Sequence, residues 1–254
     1  MRLLTCLLST LALAVALETP AAADYFNFST GDPDHRMAAA VRVQTEAQIE
    51  IEAADDFILD RETLIWHANF TGLLPPDVPL SDVQDVVIEI YRIFPRDSDP
   101  EREIHVPTRT NSPSDNAFDE RESFEGELFF EVTLIDPDSG AANSVVDGIF
   151  PSPDQTTGGE GPVAGQEVRI DVFFRFPFNL PADHYFFVPQ VGLASGGTFL
   201  WLSAPHPQFT GDLQMWIRNS NLDPDWLRVG TDIVGGTPAP TFNGSFTLEG
   251  QTIP

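Results

Sequence analysis

Residues 168–176 decide the fold class, because this stretch reads Val-Arg-Ile-Asp-Val-Phe-Phe-Arg-Phe. Every even-numbered position in it is apolar, and three of the four odd-numbered positions are charged. Successive side chains of a β-strand point to opposite faces, so this alternation predicts a strand with one buried and one solvated face. Phe174 lies at the centre of the apolar set and is predicted to be buried.

The same alternation recurs on both sides of this stretch. Five further runs show it, with Phe and Val prominent among their apolar residues: 49–52, 64–70, 86–93, 128–134 and 242–248. Phe and Val favour the half-buried surface of a pleated sheet. Ser195-Gly196-Gly197 is predicted to close a hairpin between the runs 185–193 and 198–203, since Gly tolerates the positive φ of tight turns.

Helical spacing is confined to residues 212–219, where it predicts one or two turns. Two stretches rich in Asp, Glu, Pro, Ser and Gly, residues 95–127 and 136–166, are predicted to be long acidic loops. Strands without a strand–helix–strand rhythm predict an all-β fold, an antiparallel β-sandwich or jelly roll with at most one short helix. Since no repeat or composition break divides the chain, residues 24–254 are predicted to form a single domain.

The first 23 residues have the features of a secretory signal peptide. Met1-Arg2 gives a charged start, residues 3–17 are almost continuously apolar, and Ala21-Ala22-Ala23 provides small residues for cleavage. We therefore expect a secreted, extracellular or periplasmic protein that begins at Asp24. Cys6 is the only cysteine, so the mature chain is expected to have neither disulfides nor thiolate metal ligands.

The charge of the chain excludes one class of partner. It has 13 basic and 39 acidic residues, a net charge of −26, whereas nucleic-acid binding requires basic surfaces. No apolar run of about 20 residues follows the N-terminal segment, so no membrane span is expected in the mature chain. The sequence also lacks G-x-S-x-G, H-E-x-x-H and a Gly-rich phosphate loop before a helix. We therefore assign no catalytic and no organic-cofactor-binding residue.

Four short motifs occur in a recognisable order along the chain: Gly31-Asp-Pro-Asp-His-Arg-Met37, Glu52-Ala-Ala-Asp-Asp-Phe57, Leu180-Pro-Ala-Asp-His-Tyr-Phe-Phe-Val188 and Thr241-Phe-Asn-Gly-Ser-Phe-Thr-Leu-Glu-Gly250. This order resembles that of secreted bacterial β-sandwich proteins often exported with a PEP-CTERM sorting tail. The resemblance implies an exported protein associated with the cell surface or matrix, and it implies no particular activity. The sequence ends at Ile253-Pro254 without such a tail, so covalent sorting is not among our expectations.

Acidic residues near the start of the chain suggest a cation site. Hard cations such as Ca²⁺ prefer several carboxylate and carbonyl oxygens, and Asp32, Asp34, Asp55 and Asp56 are the first candidate set. A second set consists of Asp136, Asp138 and Asp147. The alternative explanation for both sets is that Asp-Pro and Asp-Ser-Gly form turns.

The last third of the chain contains a candidate ligand surface. Trp216-Ile-Arg218 recurs ten residues later as Trp226-Leu-Arg228, with polar residues between the two copies. Exposed indole rings flanked by amides and carboxylates are typical of saccharide binding. The candidate residues are Trp216, Arg218, Asn219, Asn221, Asp223, Trp226 and Arg228. In the alternative, the indole rings cover the end of the sandwich core.

Two functions remain open at this stage. The favoured one is a non-enzymatic binding or structural module of the cell surface or extracellular matrix, with extracellular polysaccharide as one candidate partner and Ca²⁺ as the one candidate cofactor. The other is an extracellular polysaccharide-active enzyme that uses paired carboxylates. Buried Trp rings and dispersed carboxylates would favour the first, whereas two carboxylates facing each other in a Trp-lined groove would favour the second.

Overall fold

A computed structural model describes residues 23–107, 109–150, 156–205, 209 and 211–254. Strands make up 51% of it and helix 4%, which confirms the predicted all-β class. The strands are β1 Tyr25–Ser29, β2 Ala38–Val41, β3 Ile51–Leu59, β4 Thr63–Leu74, β5 Val83–Arg92, β6 Asp119–Glu122, β7 Leu128–Ala141, β8 Ser144–Val145, β9 Val163–Leu180, β10 Asp183–Leu193, β11 Phe199–Ala204, β12 Trp216–Asn219, β13 Leu227–Arg228, β14 Asn243–Gly244 and β15 Phe246–Thr252. A 3₁₀ turn spans Leu80–Asp82, and one π-helical turn spans Val229–Val234.

The first sheet is built around β4. Strand β9 pairs with one edge of β4 along its length, and β7 pairs with the far edge of β9. The other edge of β4 is shared between β15, followed by β1, and β11, followed by β2 and β8. Strand β14 also pairs with β11. Only the β2–β8 pair is parallel among the described strands.

The second sheet has the strand order β13-β12-β3-β10-β5-β6 and is antiparallel throughout the described residues. Its inner face packs on the first sheet through large aromatic side chains. Phe187 of β10 stacks on Phe246 of β15 with ring centroids 4.9 Å apart and meets Trp201 of β11 edge-on at 6.1 Å. Its outer face is also covered, by a smaller apolar cluster that includes Ala54, Trp216 and Trp226. The middle strands of the second sheet, β3 and β10, are therefore buried on both faces.

Residues 168–176 lie within β9, as the alternation predicts, and Phe174 is only 6% exposed. Phe176, however, is 54% exposed, although its position predicts burial. The pairing of β9 with β4 jumps from Phe173 to Phe178, so residues 174–177 form a bulge. A bulge redirects the side chains that follow it, and Phe178 takes the inward place.

The structure corrects three of the predicted local elements. Residues 216–219 form β12 instead of a helix, because they pair with β3. The predicted loop 136–166 contains the end of β7 and the start of β9, and Pro137 is tolerated because β7 lies at the edge of its sheet. The turn at residues 195–197 closes no hairpin, since β10 and β11 belong to different sheets.

Candidate functional site

Two adjacent carboxylates of β3 point to opposite sides of the second sheet. Residues Ala53 and Phe57 belong to the core between the sheets, whereas Ala54 belongs to the outer cluster. Because side chains alternate along a strand, Asp55 lies on the inner face and Asp56 on the outer face. Both residues are 0% exposed. Asp55 and Asp56 therefore lie on opposite faces of the second sheet, in two different environments.

Asp56 is held by donors on the outer face. His184 of β10 lies 2.5 Å from Asp56 Oδ2 through its Nε2 atom, and the backbone N–H of Leu213 donates to Oδ1 at 2.9 Å. Burial raises the pKa of Asp56, and the His184 contact opposes that rise. Asp56 thus ties the segment that precedes β12 to the second sheet.

Asp55 reaches across the sandwich to the first sheet. Its Oδ2 atom accepts a hydrogen bond of 3.0 Å from the backbone N–H of Gly244 in β14. A side chain at Gly244 would collide with the ring of Trp201, so glycine is required for this close approach. Asp55 Oδ1 is buried and has no hydrogen-bond partner in the described part of the chain. Burial, followed by the charge of Asp56, raises the pKa of Asp55 well above its usual range.

Two further polar side chains adjoin Asp55. Asn243 precedes Gly244 and is 0% exposed, and its Nδ2 atom donates to Asp212 Oδ1 at 2.8 Å. The negative charge of Asp212 also contributes to the raised pKa of Asp55. Asn243 Oδ1, like Asp55 Oδ1, is buried without a hydrogen-bond partner among the described residues. We refer to Asp55, Asp212 and Asn243 together as the inner acidic cluster.

The structure does not assemble the first predicted cation set. Asp32 is exposed, and Asp34 Oδ1 accepts hydrogen bonds from Ser203 Oγ at 2.5 Å and from the Arg36 N–H at 3.1 Å. Asp55 and Asp56 diverge because they are successive strand residues. Across the described ranges, no three His, Cys, Asp or Glu side chains gather closely enough to hold a metal by themselves.

The second predicted set has the contacts of a turn. Asp136 Oδ1 accepts a hydrogen bond of 3.0 Å from the N–H of Asp138, two residues further on, which is the geometry of an Asx turn. The carboxylate of Asp147 is 76% exposed and lies 3.8 Å from the guanidinium of Arg42. The turn-forming explanation therefore accounts for the contacts of Asp136.

A polar cavity of about 230 Å³ opens beside the inner acidic cluster. Its lining contains one indole ring and several hydroxyl, amide and charged side chains: Thr110, Asn111, Asp212, Leu213, Gln214, Trp216, Arg228 and Thr241. Asp212 belongs to both the cavity and the cluster. Of the seven predicted ligand residues, Trp216 and Arg228 contribute to this cavity.

The saccharide prediction required exposed indole rings at Trp216 and Trp226, and the structure corrects this. Trp216 is 2% and Trp226 3% exposed, so neither presents a ring face on which a sugar could stack. Both rings belong to the outer cluster, which is the alternative role considered from the sequence. Arg228 hydrogen-bonds Asp232, with Nε 3.1 Å from Oδ2.

Arg218, another predicted ligand residue, lies at the centre of a buried polar cluster. Its Nε and Nη2 atoms donate to Glu52, and Nη2 also donates to the Tyr91 hydroxyl at 2.8 Å. Its guanidinium carbon lies 4.3 Å from the centre of the Trp226 ring, and Nη1 lies 2.8 Å from Asp223 Oδ1. Burial alone would lower the pKa of Arg218, but the charge and hydrogen bond of Glu52, together with the charges of Tyr91 and Asp223, outweigh it, and the net shift is upward. The Arg218 guanidinium thus makes these contacts within the protein.

Of the remaining three predicted ligand residues, Asp223 is an ion-pair partner of Arg218, and the other two, Asn219 and Asn221, lie at the turn after β12. Asn219 is buried, and its Oδ1 atom accepts hydrogen bonds of 3.1 Å from the backbone N–H groups of Asn221 and Leu222. Asn221 itself is exposed. Neither lines the cavity.

Sequence reasoning missed Asp212, Asn243, Thr110 and Asn111. These residues lie in three separate loop or strand-end segments, and only the fold brings them together. Asn243-Gly244 did contain a signal, because Asn followed by Gly marks places where the backbone turns or approaches another group closely.

The fold and site define an all-β sandwich with a polar cavity at the edge of one sheet. Comparison with known proteins gives no match to a protein family, to a curated protein or to a solved structure. Within the described residues we find no helix with the length and apolar character that crossing a membrane requires.

Proposed function

We propose that the protein is a non-enzymatic binding module that takes a saccharide in the cavity beside Asp212. One observation carries this proposal. Three lining side chains, Thr110, Asn111 and Thr241, make no hydrogen bond within the described part of the chain. Their donors and acceptors are available to a ligand, and a sugar presents many hydroxyl groups that can donate to and accept from such side chains.

The rest of the lining suits the same ligand class. Arg228 and Asp212 add charged hydrogen-bonding groups, which form stronger hydrogen bonds than neutral groups do. The cavity contains one carboxylate among the residues described, so this site supports binding rather than the paired-carboxylate hydrolysis of the alternative. Its volume of about 230 Å³ fits one sugar ring, with the remainder of a polysaccharide outside.

We also propose that this binding takes place outside the cytoplasm, at the cell surface or in the extracellular matrix. The charged start, apolar run and Ala-rich end of residues 1–23 support export, and so does the resemblance to exported bacterial sandwich proteins. Secreted material is expected to begin at Asp24, which N-terminal sequencing checks.

The test combines a glycan-binding screen with a double substitution, Thr110→Val and Thr241→Val. Both positions are exposed, so replacing hydroxyl by methyl is expected to leave folding intact. Loss of two ligand hydrogen bonds is expected to weaken binding about tenfold, as measured by titration calorimetry on the glycans that bind.

Thr133→Val provides the matched control. Thr133 is an exposed residue of β7 that makes no side-chain hydrogen bond in the described structure, and it does not line the cavity. Affinity equal to that of the unmodified protein is expected. A screen without any binding glycan, or a double variant with unchanged affinity, would remove the cavity as the site. Release of reducing sugar from a bound glycan would favour the enzyme instead.

A further inference from the structure

We propose that the inner acidic cluster, Asp55, Asp212 and Asn243, binds a calcium ion between the two sheets. This set differs from the one predicted from the sequence and shares only Asp55 with it. The inference does not depend on the saccharide proposal, because a cation here would join the two sheets whether or not a sugar enters the neighbouring cavity.

The first support is a pair of oxygen atoms that have no hydrogen-bond donor among the residues described. Asp55 and Asn243 are both 0% exposed, and the Oδ1 atom of each has no partner in the described residues. A buried acceptor without a donor costs about 1–3 kcal/mol, and more when it is charged, so such atoms are rare in folded proteins. Two of them near one backbone position, Asn243-Gly244, indicate a ligand that accepts electron pairs from oxygen.

The second support is that Asp55 has no counter-charge in the described part of the chain. Asp56 forms an ion pair with His184, and Glu52 forms one with Arg218. Among the described residues, no Arg or His forms an ion pair with Asp55. Buried carboxylates are normally paired with a cation or bound to a metal, so Asp55 is an exception that a metal ion would explain.

The ligand atoms favour calcium over other metals. The cluster offers carboxylate and amide oxygens, without sulfur or imidazole, which is the ligand set of a hard cation. Magnesium retains several waters and requires a strict octahedron, whereas calcium accepts irregular sets of protein oxygens at 2.3–2.6 Å. The buried position of Asp55 and Asn243 therefore suits calcium.

The cluster also has a route to solvent. Asp212 lines the polar cavity, and its Oδ1 atom accepts the hydrogen bond from Asn243 Nδ2. An ion that enters the cavity would meet the Asp212 carboxylate first and Asp55 behind it. The ion would then connect β3 in the second sheet with β14 in the first, next to the existing hydrogen bond between Asp55 and Gly244.

The experiment uses the purified protein, stripped with EDTA and dialysed into buffer of fixed high NaCl concentration. Thermal unfolding is followed with and without CaCl₂. A ligand that binds only the folded state at a hundredfold excess over its Kd is expected to raise the Tm by about 5–10 °C in a domain of this size. MgCl₂ at the same concentration is expected to give a clearly smaller rise.

Asp55→Asn is the test variant, and Asp32→Asn is its control. Both change one carboxylate to an amide of the same shape, but Asp32 is exposed and lies outside the cluster. Asp55→Asn is expected to weaken calcium binding by about tenfold or more, since affinity depends on ligand charge. Asp32→Asn is expected to keep the full response.

Terbium luminescence provides a second measurement that does not depend on stability. Tb³⁺ replaces Ca²⁺ at oxygen sites, and excitation of a nearby indole sensitises it. The Trp201 ring packs against Gly244, so tryptophan-sensitised emission is expected from the unmodified protein and not from Asp55→Asn.

Three results would overturn the proposal. The first is a Tm that does not respond to calcium, which would leave a protonated Asp55 as the explanation of the cluster. The second is a calcium response that persists in Asp55→Asn, which would assign it to the acidic surface. The third is an equal response to magnesium, which would contradict the argument from ligand geometry.

Discussion

Glu52 and Asp55, two buried acidic residues three positions apart on β3, have different partners for their carboxylates. Glu52 lies on the outer face of the second sheet, where the guanidinium of Arg218 and the hydroxyl of Tyr91 donate to it. Asp55 lies on the inner face, where one backbone N–H, from Gly244, donates to it and no basic side chain does so. The first carboxylate has its counter-ion in the chain itself. The second has none among the described residues.

This difference shows how burial alone fails to describe a polar residue. Glu52 and Asp55 are 3% and 0% exposed, yet only one is part of a satisfied network. A buried ion pair stabilises little by itself, but removing one partner is costly because the other charge stays buried. Glu52 is therefore sensitive to loss of its cation, Arg218, whereas Asp55 has no cationic partner among the described residues and is expected to respond to an added one.

The largest effect is expected from Arg218→Met. This change keeps an unbranched apolar stem but removes the guanidinium and leaves Glu52 buried without its counter-charge, so the free energy of unfolding should fall by about 3–5 kcal/mol. Urea denaturation measures it. Arg61→Met is the control, because Arg61 is 62% exposed and lies 3.7 Å from Asp24, and a loss below about 1 kcal/mol is expected there. Equal losses for both variants would show that Arg218 contributes no more than a surface charge.

The next effect compares the same chemical change on the two faces. Glu52→Gln leaves Arg218 without its carboxylate and is expected to lower the free energy of unfolding by about 2–3 kcal/mol. Asp55→Asn removes a buried carboxyl group that has no counter-charge among the described residues, so in calcium-free buffer at pH 7 it is expected to be neutral or to stabilise by up to about 1 kcal/mol.

The two variants should therefore differ in sign in the same denaturation experiment. A large destabilisation by Asp55→Asn without calcium would mean that the Gly244 hydrogen bond requires a charged acceptor. The proposed difference between Glu52 on the outer face and Asp55 on the inner face would then be contradicted.

Residues 168–176 show how much of the fold follows from local pattern. Their alternation predicts β9 and the burial of Phe174 correctly, because side-chain period depends only on the backbone. It does not predict the bulge that exposes Phe176, since that depends on the register with β4. Nor does it predict that residues 216–219 form a strand, because their short apolar spacing fits both periods and pairing with β3 decides between them.

The candidate site was predictable only in part for a related reason. Asp55, Trp216 and Arg228 are conspicuous in the sequence, and the structure places them at or beside the cavity. Asp212 and Asn243 are separated by 31 positions, and their hydrogen bond depends on how the sheets close. The adjacency of Asp55 and Asp56 was misleading, since it suggested a shared ion where the strand separates the two side chains.

The smallest effect concerns Glu50, which precedes β3 and lies near the buried Glu52 and Arg218 side chains. Burial, followed by the charge of Glu52, raises the pKa of Glu50 from 4.5 to about 7, although Arg218 opposes the rise. One arginine thus does not offset all the carboxylates around it. Since the folded protein holds a proton on Glu50 that the unfolded chain has already lost, this group's stabilisation is present below pH 4.5 and is lost as the pH rises to about 7.

Glu50→Gln isolates this contribution, because the other buried acids stay in both proteins. The variant is expected to be more stable than the unmodified protein at pH 8, and the difference between their free energies of unfolding should shrink as the pH falls towards 4.5. Gln84→Glu, which adds a carboxylate at an exposed position of β5, provides a reference for a solvated acid and should give a flat difference over that range. If Glu50→Gln also gave a flat difference, Arg218 would be compensating Glu50 as fully as it compensates Glu52. Glu50 would then resemble Glu52, and the contrast of these two acids with Asp55 would become sharper.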